Sequence, residues 1–307
     1  MSNNCSRAVT LKKPGTGPAT TNSKPVPVPL ALKLLRLGFR IGGRISPTTA
    51  GRLAYKLWFT PSRFKTPARE KATLATAEIT SHQINNNNII TYHWGEANPA
   101  KPVVLLVHGW SGRGTQLGAF VQPLINAGYR VLSFDAPAHG KSSGKQTNLY
   151  EVADVILALQ QHYGVINAVI THSFGGPCIA IAIQRGFTTR RIVSISPPAT
   201  TIGLVEKFNS TLRLPKKAGK HMMHQIENTF GKNIWQDISM VNTVKGITTE
   251  GLLIHDSNDT DIPWQEGKAV SEAWHNARFI KTSGLGHRRI LRDDFVIESA
   301  VEFITGN

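Results

Sequence analysis

Apolar positions recur with a period from residue 29 onward, whereas the stretch before it has almost nothing to bury. Residues 1–28 are built of Pro, Thr, Asn, Lys and Gly, a composition expected to form a disordered basic tail. After it, Leu30, Leu34, Leu37 and Ile41 recur at spacings of 4, 3 and 4, with Lys33, Arg36, Arg40 and Arg44 as a parallel cationic stripe. That pattern predicts an amphipathic helix, ended near Gly42-Gly43. Ser46-Pro47 then reads as an N-cap followed by Pro at the first helical position, opening a second helix through about Phe59 that Thr60-Pro61 stops.

Beyond residue 72 strands alternate with helices. Thr73–Ser81 and Ile89–Trp94 read as a hairpin around Asn85–Asn88, whose side chains tolerate turn conformations. Next come strand Val103–Val107, helix Gln116–Ala127, strand Arg130–Phe134 and helix Leu149–Tyr163. Strand Ala168–Thr171, helix Phe174–Arg185 and strand Arg191–Ser196 follow. An insertion precedes strand Gly251–His255, helix Trp264–Ala277, strand Phe279–Thr282 and helix Ile290–Ile304. The internal strands are short, continuous apolar runs, which suits a mostly parallel, doubly wound sheet covered on both faces. Ligands of such sheets bind at the carboxyl ends of the strands. The expected layout is a helical extension at 29–72, a core at 73–198 and 249–307, and a small helical cap at 199–248. Within that cap Val205–Leu212 and Lys220–Ile238 have helical character, and Met222, Met223, Ile226, Phe230, Ile234 and Trp235 are available to line a pocket or to pack on the sheet.

Charge sharpens this picture only once it is located. The chain of 307 residues carries a formal net charge of +16, and residues 1–72 hold 14 Lys/Arg against the single acid Glu70. The remaining 235 residues carry 21 basic and 18 acidic side chains, so the body is nearly neutral. The basic appendage offers residues 29–59 for peripheral contact with an anionic membrane, against the alternative that they pack on the body and turn their charges to water. Nucleic acid is not an expected partner. Cys5 and Cys178 cannot build a disulfide framework, and no signal-peptide pattern or spanning apolar run is evident. A reducing, cytoplasmic location is expected, with the inner membrane surface as the place of any peripheral contact.

The chemistry concentrates in four segments. Ala168-Val-Ile-Thr-His-Ser173-Phe-Gly-Gly176 is a buried strand, a tight turn and a helix start. This is the arrangement of a nucleophile elbow, where small neighbours let backbones approach an exposed serine. Thr171 stands where a glycine is usual. Gly251 to Pro263 is a strand running into an acid-rich turn in which Asp256, Asp259 and Asp261 compete, and Asp259, midway in the turn, is the chosen candidate. Gly284-Leu-Gly286-His287 follows the last strand. Ser173, His287 and Asp259 thus supply a nucleophile, a base and an orienting acid. The loop Val107-His108-Gly109-Trp110 can offer the Trp110 amide, together with that of Phe174, to a developing oxyanion. Asp135 and His139, in Phe134-Asp135-Ala-Pro-Ala-His139-Gly140, better suit a structural or pocket-shaping role.

With these motifs in this order, residues from about 73 to 305 resemble the α/β-hydrolase superfamily, and within it bacterial esterase-like serine hydrolases with a His-Gly-Trp loop. The resemblance implies cofactor-free, metal-free hydrolysis of a small-molecule carboxylic ester or related acyl bond through an acyl-enzyme. Serine rather than Asp at position 173 speaks against haloalkane dehalogenase and epoxide hydrolase chemistry. Thioesterase or acyltransferase activity would use the same groups, and a catalytically silent binding protein is the alternative of a different kind.

Overall fold

The computed structural model of the chain describes residues 29–98 and 100–306 and is built on one eight-stranded sheet. The expected disordered tail, 1–28, lies outside the described residues. Three helices come first, α1 (Leu30–Ile45), α2 (Pro47–Trp58) and α3 (Ala68–Ala75). Strands β1 (Glu78–Ile84), β2 (Asn87–Trp94) and β3 (Val103–Val107) follow. A 3-10 segment at Gly114–Phe120 leads into α4 (Val121–Asn126) and β4 (Arg130–Phe134). Next are α5 (Leu149–Tyr163), β5 (Ala168–His172), α6 (Gly175–Gln184) and β6 (Arg191–Ile195). The insertion holds α7 (Thr201–Leu212), α8 (Lys216–Phe230), α9 (Ile234–Asp237) and α10 (Met240–Thr243). Finally come β7 (Glu250–Asp256), α11 (Trp264–Ala273), β8 (Ala277–Thr282), α12 (Gly286–Arg289) and α13 (Asp294–Thr305).

The strand order is β1-β2-β4-β3-β5-β6-β7-β8; β2 pairs antiparallel with both β1 and β4, and every other pairing is parallel. Inner strands are mainly apolar because both faces are covered, and β3, Val-Val-Leu-Leu-Val, is apolar throughout. Val103, Leu105 and Val107 of β3 join the core under α5, α6 and the insertion, while Val104 and Leu106 join the core under α4 and α13. The chain winds from β3 outward to β4 on one side and then to β5 on the other, so the order reverses at β3/β5. Loops leaving adjacent strands at such a reversal part and open a crevice.

Several boundaries differ from the sequence expectation. Thr73 begins no strand: α3 runs through Ala75, because Ala-Arg-Glu-Lys-Ala-Thr-Leu-Ala is rich in helix formers. Glu70 anchors α3, accepting from Arg113 (3.0 Å) and Thr115 (2.7 Å). Gly42-Gly43 does not end α1, which reaches Ile45. Gly43 serves a close approach instead, since a Cβ there would meet Pro215 at 2.8 Å. The span 116–127 is a 3-10 segment followed by a short helix. The span 220–238 divides at Gly231 (φ 103°). Helix α11 stops at Ala273, and α13 starts only after Asp293, whose side chain caps the Val296 amide.

The extension is stitched onto the body. Gly51 of α2 sits against α8, where a Cβ would fall 2.8 Å from the Ala218 carbonyl oxygen. Arg63 donates to the carbonyls of Gly140, Ser142 and Gly144. On α1 the packed positions are Leu32, Leu35 and Phe39, not the stripe that the periodicity singles out. Leu30, Leu34, Leu37 and Ile41 are exposed.

Asp135 is fully buried and accepts from the amides of Gly114 (2.6 Å) and Lys141 (2.7 Å) and from the Tyr92 hydroxyl (2.9 Å). Gly140 (φ 45°) closes over it, and a Cβ there would run into the carboxylate. Gly140→Ala is therefore expected to cost about 2–4 kcal/mol of stability, read from the urea unfolding midpoint.

Candidate active site

Ser173 occupies the turn between β5 and α6 in a left-handed conformation, φ 51°, which a side chain rarely adopts. Three glycines let the neighbouring backbone crowd around it. A Cβ on Gly175 would meet the Val107 carbonyl oxygen at 2.6 Å, one on Gly176 Ser194 Oγ at 2.9 Å, and one on Gly109 His172 Nδ1 at 2.8 Å. The Ser173 amide donates to the Ile195 carbonyl (2.9 Å), and the Gly176 amide donates to the Ser173 carbonyl (3.0 Å). Thr171, buried where glycine is usual, spends its hydroxyl on Ser194 Oγ (3.0 Å) in the neighbouring strand.

His287 enters from α12, beyond β8, and its Nδ1 donates to Asp259 Oδ2 (2.7 Å). Of the three competing acids, Asp259 is the one that touches this imidazole. Its other oxygen accepts from the amides of Asp261 (2.8 Å) and Ile262 (2.9 Å), and His255 Nε2 lies 3.3 Å from Oδ2. Burial pushes this carboxyl up. The hydrogen bonds from His255 and His287, the His287 charge interaction and the Ile262 amide outweigh it and hold the group well below the ordinary carboxylate range. With its hydrogen on Nδ1, neutral His287 presents Nε2 as a free acceptor.

Asp256 has a different task. It accepts from the amides of Asn258 (2.9 Å) and Gly286 (2.8 Å) and from Thr282 Oγ1 (2.8 Å). It thereby ties the turn that carries Asp259 to the loop that carries His287. Burial raises its pKa, but those hydrogen bonds lower it on balance. His172, next to the serine, donates from Nε2 to the His287 carbonyl (3.0 Å), and the two rings lie 4.7 Å apart. Sequence reasoning did not find His172 or His255 as supports. The one available signal was their place in or beside strand ends that carry Ser173 and Asp259.

Ser173, Phe174, Trp110 and His287 all line one cavity of about 540 Å³. Among the described residues no hydrogen bond joins Ser173 to His287, and neither the Trp110 nor the Phe174 amide has an acceptor. The cavity's other walls are mainly apolar, with Leu35 from α1, Trp58 and Phe59 at the end of α2, Phe208 from α7, and Ile226 and Phe230 from α8, while Asn148, Lys207 and Asp261 add polar groups. His108 lies outside it, donating to the Gly109 carbonyl (2.8 Å) and accepting from the Ala136 amide (3.0 Å), which fixes the loop before Trp110. His139 and Asp135 are buried behind that loop. Among the described residues no group of three or more His, Cys, Asp or Glu side chains could hold a metal ion. No helix there is long and apolar enough to cross a membrane.

Comparison with known proteins bears on the fold and the family. The model of the family described as "Alpha/beta hydrolase family" matches residues 104–299. A bacterial membrane phospholipase A superposes with a TM-score of 0.59 at 16% identity, over 90% of this chain and 97% of that one. Est1E from Butyrivibrio proteoclasticus, solved with ferulic acid bound, gives 0.57 at 19% identity, over 74% and 96%. At these identities the likeness is one of fold. The Magnesium-chelatase 30 kDa subunit of Rhodobacter capsulatus is 39% identical over 101 residues, 31% of this chain and 34% of that protein. The chain thus spans about a third of the length of that curated relative and about a quarter of the next.

Three imidazoles around the site are buried and neutral. Burial lowers His108 from 6.5 to about 4, and His139 and His172 to about 3. Between 6.5 and those values the unfolded chain binds more protons than the folded one, so stability rises with pH in that window and is lost as pH falls. At about pH 4.5 the loss should be on the order of 2 kcal/mol per histidine, seen as a fall in Tm between neutral and mildly acidic buffer.

Proposed function

Because the chain belongs to the alpha/beta hydrolase family, we propose that it hydrolyses carboxylic esters of apolar acids through a Ser173 acyl-enzyme. One observation carries the reading: Ser173 on its left-handed turn and His287, whose other face is bonded to Asp259, line the same mainly apolar cavity. A hydrolase of this fold is what the family provides. The triad and the ester substrate are our extension of it.

In this reading Ser173 Oγ attacks the ester carbonyl carbon while His287 Nε2 takes the hydroxyl proton. The carbonyl oxygen becomes an oxyanion facing the free amides of Trp110 and Phe174, each worth about 3 kcal/mol in such a role. Collapse breaks the bond to the alkoxy group, which leaves with the proton from His287. Water then attacks the acyl-enzyme, giving its proton to His287, and the acid departs as Ser173 recovers that proton. Asp259 stabilises the imidazolium formed at each stage and keeps the hydrogen on Nδ1. His172 and Asp256 act through their hold on the His287 loop and are positioning residues.

The acyl group would lie among Leu35, Trp58, Phe208, Ile226 and Phe230, so the acid should be a chain or ring rather than acetate. The same atoms would accept a thioester, or pass the acyl group to an alcohol. Acyl-CoA run beside oxygen esters of the same acid tests the choice, and a higher kcat/KM on the thioester overturns the ester reading.

Ser173→Ala should abolish labelling by a fluorophosphonate probe and lower kcat on p-nitrophenyl esters by at least about 10⁴-fold. Asp259→Asn should cost about 10³- to 10⁴-fold with labelling much slowed. Full activity in either variant sinks the assignment.

Octanoate carries about six more methylenes than acetate at about 0.8 kcal/mol each, and with only about a third of that realised kcat/KM should still be about tenfold higher on the octanoate ester. Leu204→Trp, which fills the cavity, should lower octanoate turnover while sparing acetate.

A further inference from the structure

Helix α1 is apolar on two opposite sides. Leu32, Leu35 and Phe39 face inward, and Leu35 lines the cavity. About half a helical turn away, Leu30, Leu34, Leu37, Ile41 and Ile45 form an unbroken outer stripe, respectively 71%, 60%, 52%, 53% and 80% exposed. A single exposed leucine is ordinary, but five in register on one helix are not. Lys33, Arg40 and Arg44 run along the edge of the stripe and are exposed, while Arg36 is turned in to donate to the Thr211 carbonyl (2.7 Å). No acid occurs before Glu70.

Charge decides what covers this face. A second copy laid stripe to stripe would set no acid of its α1 against these cations, and laid antiparallel it would bring cation against cation. Residues 1–28 add four more basic side chains and no acid, so they too repel this edge. An anionic lipid surface is the occupant whose chemistry matches both features, accepting the leucines among its acyl chains and the cations among its headgroups. At 16 residues α1 is too short to span, so the contact is peripheral.

We propose that the outer face of α1, the stripe Leu30, Leu34, Leu37, Ile41 and Ile45 with Lys33, Arg40 and Arg44 beside it, seats the protein on an anionic membrane surface. The seat lies one helix thickness, about 10 Å, from the cavity that Leu35 lines. The inference does not rest on the chemistry read at Ser173, and vesicle binding reports on it whether or not the ester reaction is found.

The test is flotation of the full chain with vesicles of phosphatidylglycerol and phosphatidylcholine in equal parts, and with phosphatidylcholine alone. Two triple variants accompany it, Leu34→Gln/Leu37→Gln/Ile41→Gln and Lys33→Glu/Arg40→Glu/Arg44→Glu. All six positions are exposed, so thermal melts by circular dichroism should match the parent and vouch for the fold. The parent should float with the anionic vesicles, far less with the neutral ones, and less at high salt. Each variant should partition at least about tenfold more weakly. The proposal is overturned if the parent does not float, or if the glutamine variant floats equally well, which would leave the binding to basic side chains without the apolar stripe. It is also overturned if light scattering shows a dimer that the glutamine substitutions break while no lipid is bound.

Discussion

Three buried carboxylates, held chiefly by backbone amides, organise everything at the carboxyl ends of the strands. Asp135 takes the amides of Gly114 and Lys141, Asp256 those of Asn258 and Gly286, and Asp259 those of Asp261 and Ile262. A charge buried without such donors would cost several kcal/mol, and loop amides left without acceptors would cost nearly as much. Each group thus requires the other. Loops that leave a parallel sheet have no ladder partners of their own, and these carboxylates supply them with a fixed geometry.

That arrangement explains why the site forms where it does. The reversal of strand order at β3/β5 opens the crevice, but it does not fix a side chain within it. Asp135 fixes the loop after β4 against the one after β3, and Asp256 fixes the two loops that bring Asp259 and His287 together. Because Asp256 bonds a neighbour of the imidazole and not the imidazole, the ring is positioned through backbone. It remains free to present Nε2 to the cavity.

Much of this was legible in the residues. The apolar runs of β3, β5, β6 and β7 announce a doubly covered sheet, and the chemistry-bearing positions stand at the ends of those runs. What the sequence did not show is contact across distance. The helical character of 68–75 is completed by Glu70 meeting Arg113, a partner 43 positions away. Gly43 reads locally as a helix stop, yet it is a flat spot for Pro215. The periodic stripe of α1 is real, but periodicity reports that a helix is amphipathic and not which side meets the body. His172 and His255 were invisible as supports because a strand-end histidine looks alike whether it props a neighbour or only fills space.

The left-handed turn at Ser173 has one more consequence. A glycine at that position would relax the backbone and add to stability, as relief of a strained conformation usually does. Folding by itself therefore favours the loss of the hydroxyl. A serine kept there sets the fold's own thermodynamic preference against the side chain, and what keeps it in place has to be sought outside the folding free energy.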